Sequence, residues 1–430
     1  MAKNAIFNSI NSINEYKIFI ILFFILLFSI ETFSNKQYNF NSKIYNFKSE
    51  LNDSCFQTEN KIYWNNNKNL EIENLKEDIK NSKSISISYE NKTHFYKREN
   101  PKISIIITVY NQGYYIKTSY AFIQKQEFKD IEIIFVDDSS TDNSINIVKT
   151  FQKNDMRISI IRNKKNKGTL ISRNLGILKS IGNYILIPDA DDIFAKNIIK
   201  ICYNLAIKYN YEMIRYNVYA DKSYSGLTKI VQSLESKPIY QPELSDFLFY
   251  GFGTLRLHDF TLWNKFIKGT AIKRAFNNMD SFYLNQYMII FEDGLINYSL
   301  YRTVKSFFLL KRIGYYYVFQ KENSVQHKKG IERDVAKYIF LYLKFILDNS
   351  KNNKHEKDMA LYIFHLYSWQ VNLLDLINDN FQLYEYVINF FLNYEFIPME
   401  DRNKFIHLKE ILNNKEKNSL KKNLFTDDKY

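Results

Sequence analysis

Three apolar runs in the first half of the chain share one pattern, because each ends in acidic or small polar residues. Written with the residues that follow them, they are Ile103–Val109 before Tyr110-Asn111, Ile131–Val136 before Asp137-Asp138, and Tyr184–Pro188 before Asp189-Ala190-Asp191-Asp192. Segments of helical periodicity lie between the runs. Alternating strands and helices predict a parallel α/β sheet that gathers these polar ends at one edge. Open α/β sheets bind ligands at that edge.

The two acidic clusters at this edge predict a site for a metal, a nucleotide or both. Oxygen-only ligands suit Mg²⁺ or Mn²⁺, and an ionised carboxylate can accept a hydrogen bond from a uracil N3–H. Helix capping is the alternative reading. Asp191 or Asp192 would then cap a helix that begins near Ala195, and Ser140–Asp142 would cap a helix over Asn143–Lys153.

A third polar segment lies between the acidic clusters and favours an anion. Gly168 precedes a segment of helical periodicity, and the free backbone N–H groups at a helix start attract negative charge. Arg173 follows one turn later and carries a forked donor suited to phosphate. Taken alone this is a weak pattern, and it gains weight from the acidic clusters on either side.

Composition limits the classes of protein that fit. Hydrophobic residues make up 46% of the 430 residues, enough for a sizeable core. The net charge of +13 comes with an excess of Asn, Lys and Ile of the kind that an AT-rich genome produces. No arginine-rich stripe or nucleic-acid motif accompanies it, so a nucleic-acid partner is not predicted. Attraction to phosphorylated substrates or to an anionic membrane stays open.

The chain is expected to fall into four parts. Residues 1–34 contain an unbroken apolar stretch, Ile18–Ile30, which predicts an uncleaved single-pass membrane anchor, with a cleaved signal peptide as the alternative. Residues 35–100 form a polar stem, and residues 101–330 the catalytic α/β domain. Residues 331–430 show helical periodicity without strands.

The apolar stretch predicts where the protein is located, and the small number of cysteines predicts their thiol state. The protein would be a single-pass membrane protein, of the secretory pathway if the source is eukaryotic, or secreted or lumenal after cleavage. Cys55 and Cys202 are expected to be unpaired thiols.

Three ordered segments of the chain closely resemble the family 2 glycosyltransferases. They are SIIITVYNQGYYI from Ser104, FVDDSSTDNS from Phe135, and NKGTLISRNLGILKSIGNYILIPDADD from Asn166. The resemblance implies the GT-A fold, a Rossmann-like core that binds a nucleotide sugar. It also implies inverting transfer of a sugar from a nucleotide diphosphate sugar, most often a UDP-sugar, to an acceptor hydroxyl.

The resemblance also assigns roles to residues of the polar edge. Those that would surround the nucleotide are, in chain order, Thr108 and Tyr110, Asp137 and Asp138, and Arg173. The segment Asp189-Ala190-Asp191 would be the DxD motif, in which Asp189 faces the ribose and Asp191 binds Mn²⁺ or Mg²⁺.

Two downstream segments continue the resemblance. Leu262-Trp263-Asn264-Lys265 is similar to the acceptor-side loop of the family, where Trp263 would stack on a sugar ring, with core packing as the alternative. Phe291-Glu292-Asp293-Gly294 is similar to the ED motif, whose Asp, here Asp293, is the general base and whose Glu292 lies beside the substrates. An acid pair at a helix N-terminus is the alternative reading of this segment.

The strand that closes the active site in the family departs from its pattern here. Gln320 and Lys321 stand where an arginine is common, which weakens the case for a phosphate contact. His327 and His258 are further candidate ligands, although a lone histidine is more often a surface residue. The multiple membrane helices and the QxxRW motif of processive polysaccharide synthases are absent, so transfer of single sugars is expected.

The sequence leaves the substrates and one competing function open. The enzyme would be a hexosyl- or N-acetylhexosaminyltransferase, and its acceptor a glycan, a lipid or a protein. A non-catalytic nucleotide- or glycan-binding protein on the same fold is the main alternative. A nucleotidyltransferase would carry a Gly-rich phosphate loop after the first strand, and Asn111-Gln112-Gly113-Tyr114 is not such a loop.

Overall fold

The computed structural model describes the α/β core and parts of the C-terminal region. The described residues are 99–220, 237–240, 261–317, 331–350, 381–394 and 402–410, with isolated positions between 353 and 363 and at 399 and 412–413. The other residues are outside this description. Among them are the predicted anchor and stem, Cys55, His258, Gln320, Lys321 and His327.

Within the described residues, nine strands form one sheet. They are β1 (Ile103–Val109), β2 (Ile131–Asp137), β3 (Ile158–Arg162), β4 (Tyr184–Leu186), β5 (Ile193–Phe194), β6 (Met213–Ala220), β7 (Lys237–Tyr240), β8 (Lys265–Lys268) and β9 (Ser306–Tyr317). The helices are α1 (Ile116–Lys125), α2 (Ser144–Gln152), α3 (Thr169–Lys179), α4 (Ile198–Tyr209), α5 (Gly269–Asn277), α6 (Ser281–Leu284), α7 (Glu292–Tyr301), α8 (Ile331–Ser350) and α9 (Phe381–Leu392). Residues 402–410 are also helical.

The apolar runs of the sequence form the parallel half of the sheet. Strand β1 lies between β2 and β4, and β2 pairs in turn with β3. The register brings Val109 opposite Asp137, so the ends of β1 and β2 meet at the same edge. Isoleucines dominate β1 and β2 because both faces of these strands are covered, and such strands read as continuous apolar runs rather than alternating ones.

The other half of the sheet is mixed. From β4 the order continues β8-β6-β9-β5, and β7 pairs with β9 off this path. Strand β8 runs antiparallel to both β4 and β6, whereas β6 and β9 are parallel. This half brings Trp263, which precedes β8, and Tyr315 of β9 to the edge where β1 and β2 end. The predicted α/β core is therefore confirmed, but the prediction of a parallel sheet is wrong for this half, because β8 runs antiparallel to both of its neighbours.

The C-terminal helices share the main hydrophobic core. Ile339, Leu343 and Ile346 of α8 are fully buried, and they belong to the same cluster as Leu295 of α7 and Ile106 of β1. Helical periodicity correctly predicted the helices that the structure describes in this region. Periodicity alone does not reveal what covers an apolar helix face, and here the cover is the α/β domain itself.

Two capping alternatives are resolved by the helix boundaries. Helix α2 begins within a residue of the prediction, and Asp142 accepts hydrogen bonds from the backbone N–H and the hydroxyl of Ser144 at its start. Helix α4 begins at Ile198, with Asn197 as its N-cap. The reading of Asp191 or Asp192 as its cap is therefore wrong, and these acids need another explanation.

The predicted single-pass membrane localisation is contradicted. Among the helices of the described ranges, none is both long and apolar enough to cross a membrane. Helix α8 has 20 residues, but Glu332, Arg333, Asp334, Lys337, Lys344 and Asp348 distribute charge along it. The apolar stretch Ile18–Ile30, on which the anchor prediction and the membrane partner rested, lies outside the described residues.

Candidate active site

The edge where β1, β2 and β4 end collects most of the predicted site residues. Thr108, near the end of β1, forms a single parallel bridge with Asp189. The backbone N–H of Asp189 donates to the Tyr315 hydroxyl at 3.0 Å. The start of the DxD segment is therefore fixed between β1 and β9. Tyr110 lies one residue beyond the end of β1 and is partly exposed.

The DxD segment is a turn that brings three carboxylates together. Asp192 N–H donates to the Asp189 carbonyl at 3.3 Å, and one oxygen each from Asp189, Asp191 and Asp192 lies within 4.8 Å of the others. Burial, and then the charge of Asp189, raise the pKa of Asp191 to about 7. Close, partly buried like charges favour a cation, and three carboxylate oxygens match the ligands of Mg²⁺ and Mn²⁺. The residues thus fit the predicted metal, and Asp192 joins the predicted Asp191.

Asp137 and Asp138 hold the polar edge together. Asp137 is 1% exposed, accepts from Ser140 N–H at 3.1 Å and pairs with Arg162 at 2.9 Å. Asp138 accepts from the Asn163 side chain at 2.7 Å. It also accepts from the backbone N–H groups of Lys167 and Gly168 at 2.9 and 2.8 Å. Three of roughly four acceptor positions of the Asp138 carboxylate are thus in use.

The N-terminus of α3 is closed by the chain itself. Besides the Asp138 contacts, Leu170 N–H donates to the Met288 carbonyl at 3.2 Å. Gly168 has a φ of +84°, and a Cβ there would lie 2.8 Å from the same carbonyl oxygen. The anion predicted for this helix start is therefore supplied by Asp138, because its carboxylate takes the free N–H groups.

Arg173 of α3 connects the DxD turn to the ED segment. Its guanidinium binds Asp189 at 2.9 Å and Glu292 at 2.8 Å, and it also contacts Asp293. Arg173 is 3% exposed, Asp189 33% and Asp293 18%, so the charged cluster opens to solvent on its carboxylate side. Two predicted site segments that are more than 100 residues apart in the chain thus meet on one side chain.

Asp293 is held at the N-terminus of α7. One of its carboxylate oxygens contacts Arg173, and the other accepts from Leu262 N–H at 3.2 Å. The preceding Glu292 is buried; burial raises its pKa, and the Arg173 charge opposes that rise. Phe291, the N-cap, has a φ of +66°, a left-handed conformation that is strained for a bulky residue. This turn directs both acids toward Arg173.

Trp263 packs into an aromatic stack beside the carboxylates. Its ring is 6% exposed and lies 5.0 Å from that of Tyr315 and 5.7 Å from that of Tyr317. Packing is thus what the structure describes here, and stacking on a sugar ring stays a prediction. Burial, and then the Asp189–Asp192 charges, raise the pKa of both tyrosines, so their hydroxyls stay protonated at neutral pH.

Two residues of this site were not predicted. Tyr315 accepts the Asp189 N–H, and Asp192 adds a third carboxylate to the turn. The sequence signals were an aromatic run in a late strand and a further acid directly after the DxD motif. Neither signal specifies a contact, because the turn and the β5–β9 pairing that create it are tertiary features.

Comparison with known proteins agrees with this geometry. Residues 104–274 match the model of the family "Glycosyl transferase family 2". Streptococcus pneumoniae glycosyltransferase GlyG is 36% identical over 27% of this chain and 39% of its own length. The putative glycosyltransferase EpsH of Bacillus subtilis is 27% identical over 62% of this chain and 75% of its own. The matched part of the chain spans well under two thirds of GlyG.

Solved structures agree on the fold. S. aureus TarS 1-349 in complex with UDP-GlcNAc superposes with a TM-score of 0.51 at 18% identity, covering 68% of this chain and 81% of TarS. The complex with UDP gives 0.52 at 17% identity, covering 73% and 88%. The mixed sheet thus resembles the GT-A fold of these proteins. Sequence segments, sheet and comparisons agree, and residues 104–274 of this chain match glycosyl transferase family 2.

Proposed function

We propose that this chain is an inverting glycosyltransferase. It moves a single sugar from a nucleotide diphosphate sugar, with a UDP-sugar as donor, to a hydroxyl of a glycan, lipid or protein acceptor. The observation that carries the proposal is the Arg173 cluster, which brings the DxD turn and the ED pair together at one edge of the sheet. The complex of TarS with UDP-GlcNAc supports a donor of this class and a hexosyl- or N-acetylhexosaminyl-type transfer.

The donor would occupy the edge between β1 and the DxD turn. Thr108, Tyr110, Asp137 and Asp138 would line the uracil end, and Asp189 would face the ribose. Asp138 has one acceptor position of roughly four left for a uracil N–H. Mn²⁺ or Mg²⁺ held by Asp191, with Asp189 and Asp192 beside it, would offset the charge that grows on the leaving diphosphate.

Asp293 would act as the general base. Its carboxylate is 18% exposed, so an acceptor hydroxyl can reach it. As the acceptor oxygen bonds to the anomeric carbon, its proton passes to Asp293. The bond from that carbon to the diphosphate breaks from the opposite face, and its electron pair leaves with the nucleotide. Glu292 and Trp263 would border the substrates on the acceptor side.

Release of nucleotide diphosphate tests the proposal. The full chain would be incubated with UDP- and GDP-sugars, with and without Mn²⁺, beside Asp191→Ala and Asp293→Asn. We expect Mn²⁺-dependent release of UDP from one sugar, reduced about 100-fold or more in both variants, because each removes a group that acts on the transition state. Asp130→Asn, at the opposite edge of the sheet, should keep wild-type activity and serves as the control.

The outcomes separate the two functions. Metal-dependent UDP binding without turnover for any donor and acceptor mixture would favour a nucleotide-binding protein. Absence of both binding and turnover would reject a nucleotide-sugar site on this edge.

A further inference from the structure

Arg173 is a single buried cation that three carboxylates share. It binds Asp189 on the donor side and Glu292 and Asp293 on the side of the base. Both terminal nitrogens of its guanidinium are engaged, and the side chain is 3% exposed. In this arrangement the guanidinium faces carboxylates of the chain rather than solvent.

The backbone around Arg173 is fixed to the segment that carries the base. Gly168, at the start of α3, lies against the backbone of Met288, and Leu170 N–H donates to the Met288 carbonyl. Met288 precedes Phe291, the strained N-cap of α7. Helix α3 and the start of α7 are thus joined by backbone contact as well as by the ion pairs. A displacement of one moves the other.

The carboxylate of Asp293 is held from two sides. Arg173 contacts one oxygen, and Leu262 N–H donates to the other. We propose that Arg173 is a positioning residue that sets the orientation of the base Asp293 and couples it to the donor-side turn at Asp189. This inference rests on the proposed function. It assigns Arg173 to positioning of the base, in place of the nucleotide contact that the family resemblance implies.

The expected consequence is a split between kcat and donor affinity. Arg173→Lys keeps the positive charge, but a single ammonium lacks the planar fork that reaches several carboxylates at once. Asp293 would then lose its orientation, whereas the backbone of Asp189 stays held by Thr108 and the Tyr315 hydroxyl. A misplacement of about 1 Å costs on the order of 100-fold in rate. We therefore expect kcat to fall about 100-fold and the Kd of UDP to change less than about threefold.

A double-mutant cycle tests whether Arg173 acts through Asp293. In the full chain, nucleotide release would be measured for Arg173→Lys, Asp293→Asn and the double variant, with UDP affinity from calorimetry. If Arg173 acts through the base, Arg173→Lys should cause no further loss of kcat in the Asp293→Asn background. The matched control is Arg157→Lys, because Arg157 and Asp155 form an equally buried ion pair at the far end of β3.

A second readout does not depend on turnover. Hydrogen exchange of the amides at the start of α7, residues 292–296, should accelerate in Arg173→Lys and stay at the wild-type rate in Arg157→Lys. Unchanged exchange there would overturn the positioning role. The positioning role would also be overturned if Arg173→Lys weakened UDP affinity more than tenfold and left kcat intact. It would be overturned, too, if the loss of kcat in the double variant equalled the product of the two single losses. A wild-type chain that turns over no donor would reject the proposed function instead, and the exchange measurement would still decide the role of Arg173.

Discussion

At the residue scale, the acidic side chains of the site differ in how well the chain satisfies them. Asp138 accepts hydrogen bonds from two backbone N–H groups and one side-chain amide. Asp191 is partly buried beside another carboxylate, and its pKa is raised. The first arrangement stabilises the fold without a ligand, whereas the second favours a bound cation. The two acidic clusters at this edge thus differ, because Asp138 in the first is held by the fold and Asp191 in the second favours a ligand.

Asp138→Ala should lower stability in the absence of any nucleotide. The substitution removes the acceptor of the Lys167 N–H and leaves the Gly168 N–H with Asn166 alone, at a partly buried helix start. A buried donor that loses its acceptor costs about 1–3 kcal/mol. We therefore expect the free energy of unfolding, measured in urea, to fall by an amount in that range. The matched variant Asp130→Ala, at a partly exposed position of the opposite edge, should stay within about 0.5 kcal/mol of wild type. Equal stabilities of the two variants would contradict the conclusion that Asp138 stabilises the start of α3.

The sequence predicted the residue types of the site better than their partners. The DxD and ED acids were identified from their order along the chain. The contacts of Arg173 with Glu292 and Asp293 span 119 and 120 residues, and nothing in local pattern reports such a distance. The helix start at Gly168 was also recognised, but its anion came from Asp138, 30 residues earlier. Local rules specify which groups need partners, and the tertiary fold decides which partners they find.

At the element scale, the apolar runs of the sequence predicted strands correctly, whereas short irregular strands could not be predicted. The runs that form β1 and β2 are covered on both faces, so their composition alone marks them as strands. Strand β5 has two residues and exists because it pairs with β9. Its pairing makes the chain turn after Asp189, which gathers the three carboxylates. The carboxylate cluster therefore depends on an element that no local pattern indicates.

One carboxylate joins three helices at the C-terminal side of the core. Asp348 of α8 accepts hydrogen bonds from Lys344 and from Tyr386 of α9, each at 2.7 Å, and from Tyr283 of α6. Burial alone would raise the pKa of Asp348, but these hydrogen bonds hold it below its ordinary value. The ionised form is therefore preferred in the folded chain. Since α6 leads to Met288 and α7, this link also supports the start of the helix that carries Asp293, the proposed base.

The stabilisation from Asp348 should depend on pH with a definite sign. A lowered folded-state pKa contributes stability above the unfolded pKa, near 3.9, which is lost as the pH falls through the folded value. Asp348→Asn should thus be less stable than wild type by about 1 kcal/mol at pH 7, and the difference should shrink below about pH 4. Urea unfolding between pH 3 and 7 measures this difference in stability, with Glu385→Gln on α9 as the control. A difference that is constant over this range would show that charge is not the cause.

At the scale of the whole molecule, the described part of the chain has one main hydrophobic cluster. It runs from Ile106 of β1 and Leu170 of α3 through Leu295 of α7 to Leu343 of α8. The sequence suggested a C-terminal helical region attached to a catalytic domain. Shared burial instead makes α8 part of the support under the ED helix, so the stability of α8 and that of the site are coupled.

Leu343→Ala should therefore destabilise the sheet as well as its own helix. Leu343 is fully buried, and a Leu→Ala change in such a core costs about 2–5 kcal/mol. If the core unfolds as one unit, the slowest-exchanging amides of β2 and of α8 should accelerate by the same factor, because both exchange through global unfolding. Hydrogen exchange followed by mass spectrometry measures both segments in one experiment. Leu178→Ala, at a position of α3 that is 61% exposed, should leave both rates nearly unchanged. Acceleration confined to α8 would mean that the C-terminal helices unfold separately, and the coupling between α8 and the candidate site would then be absent.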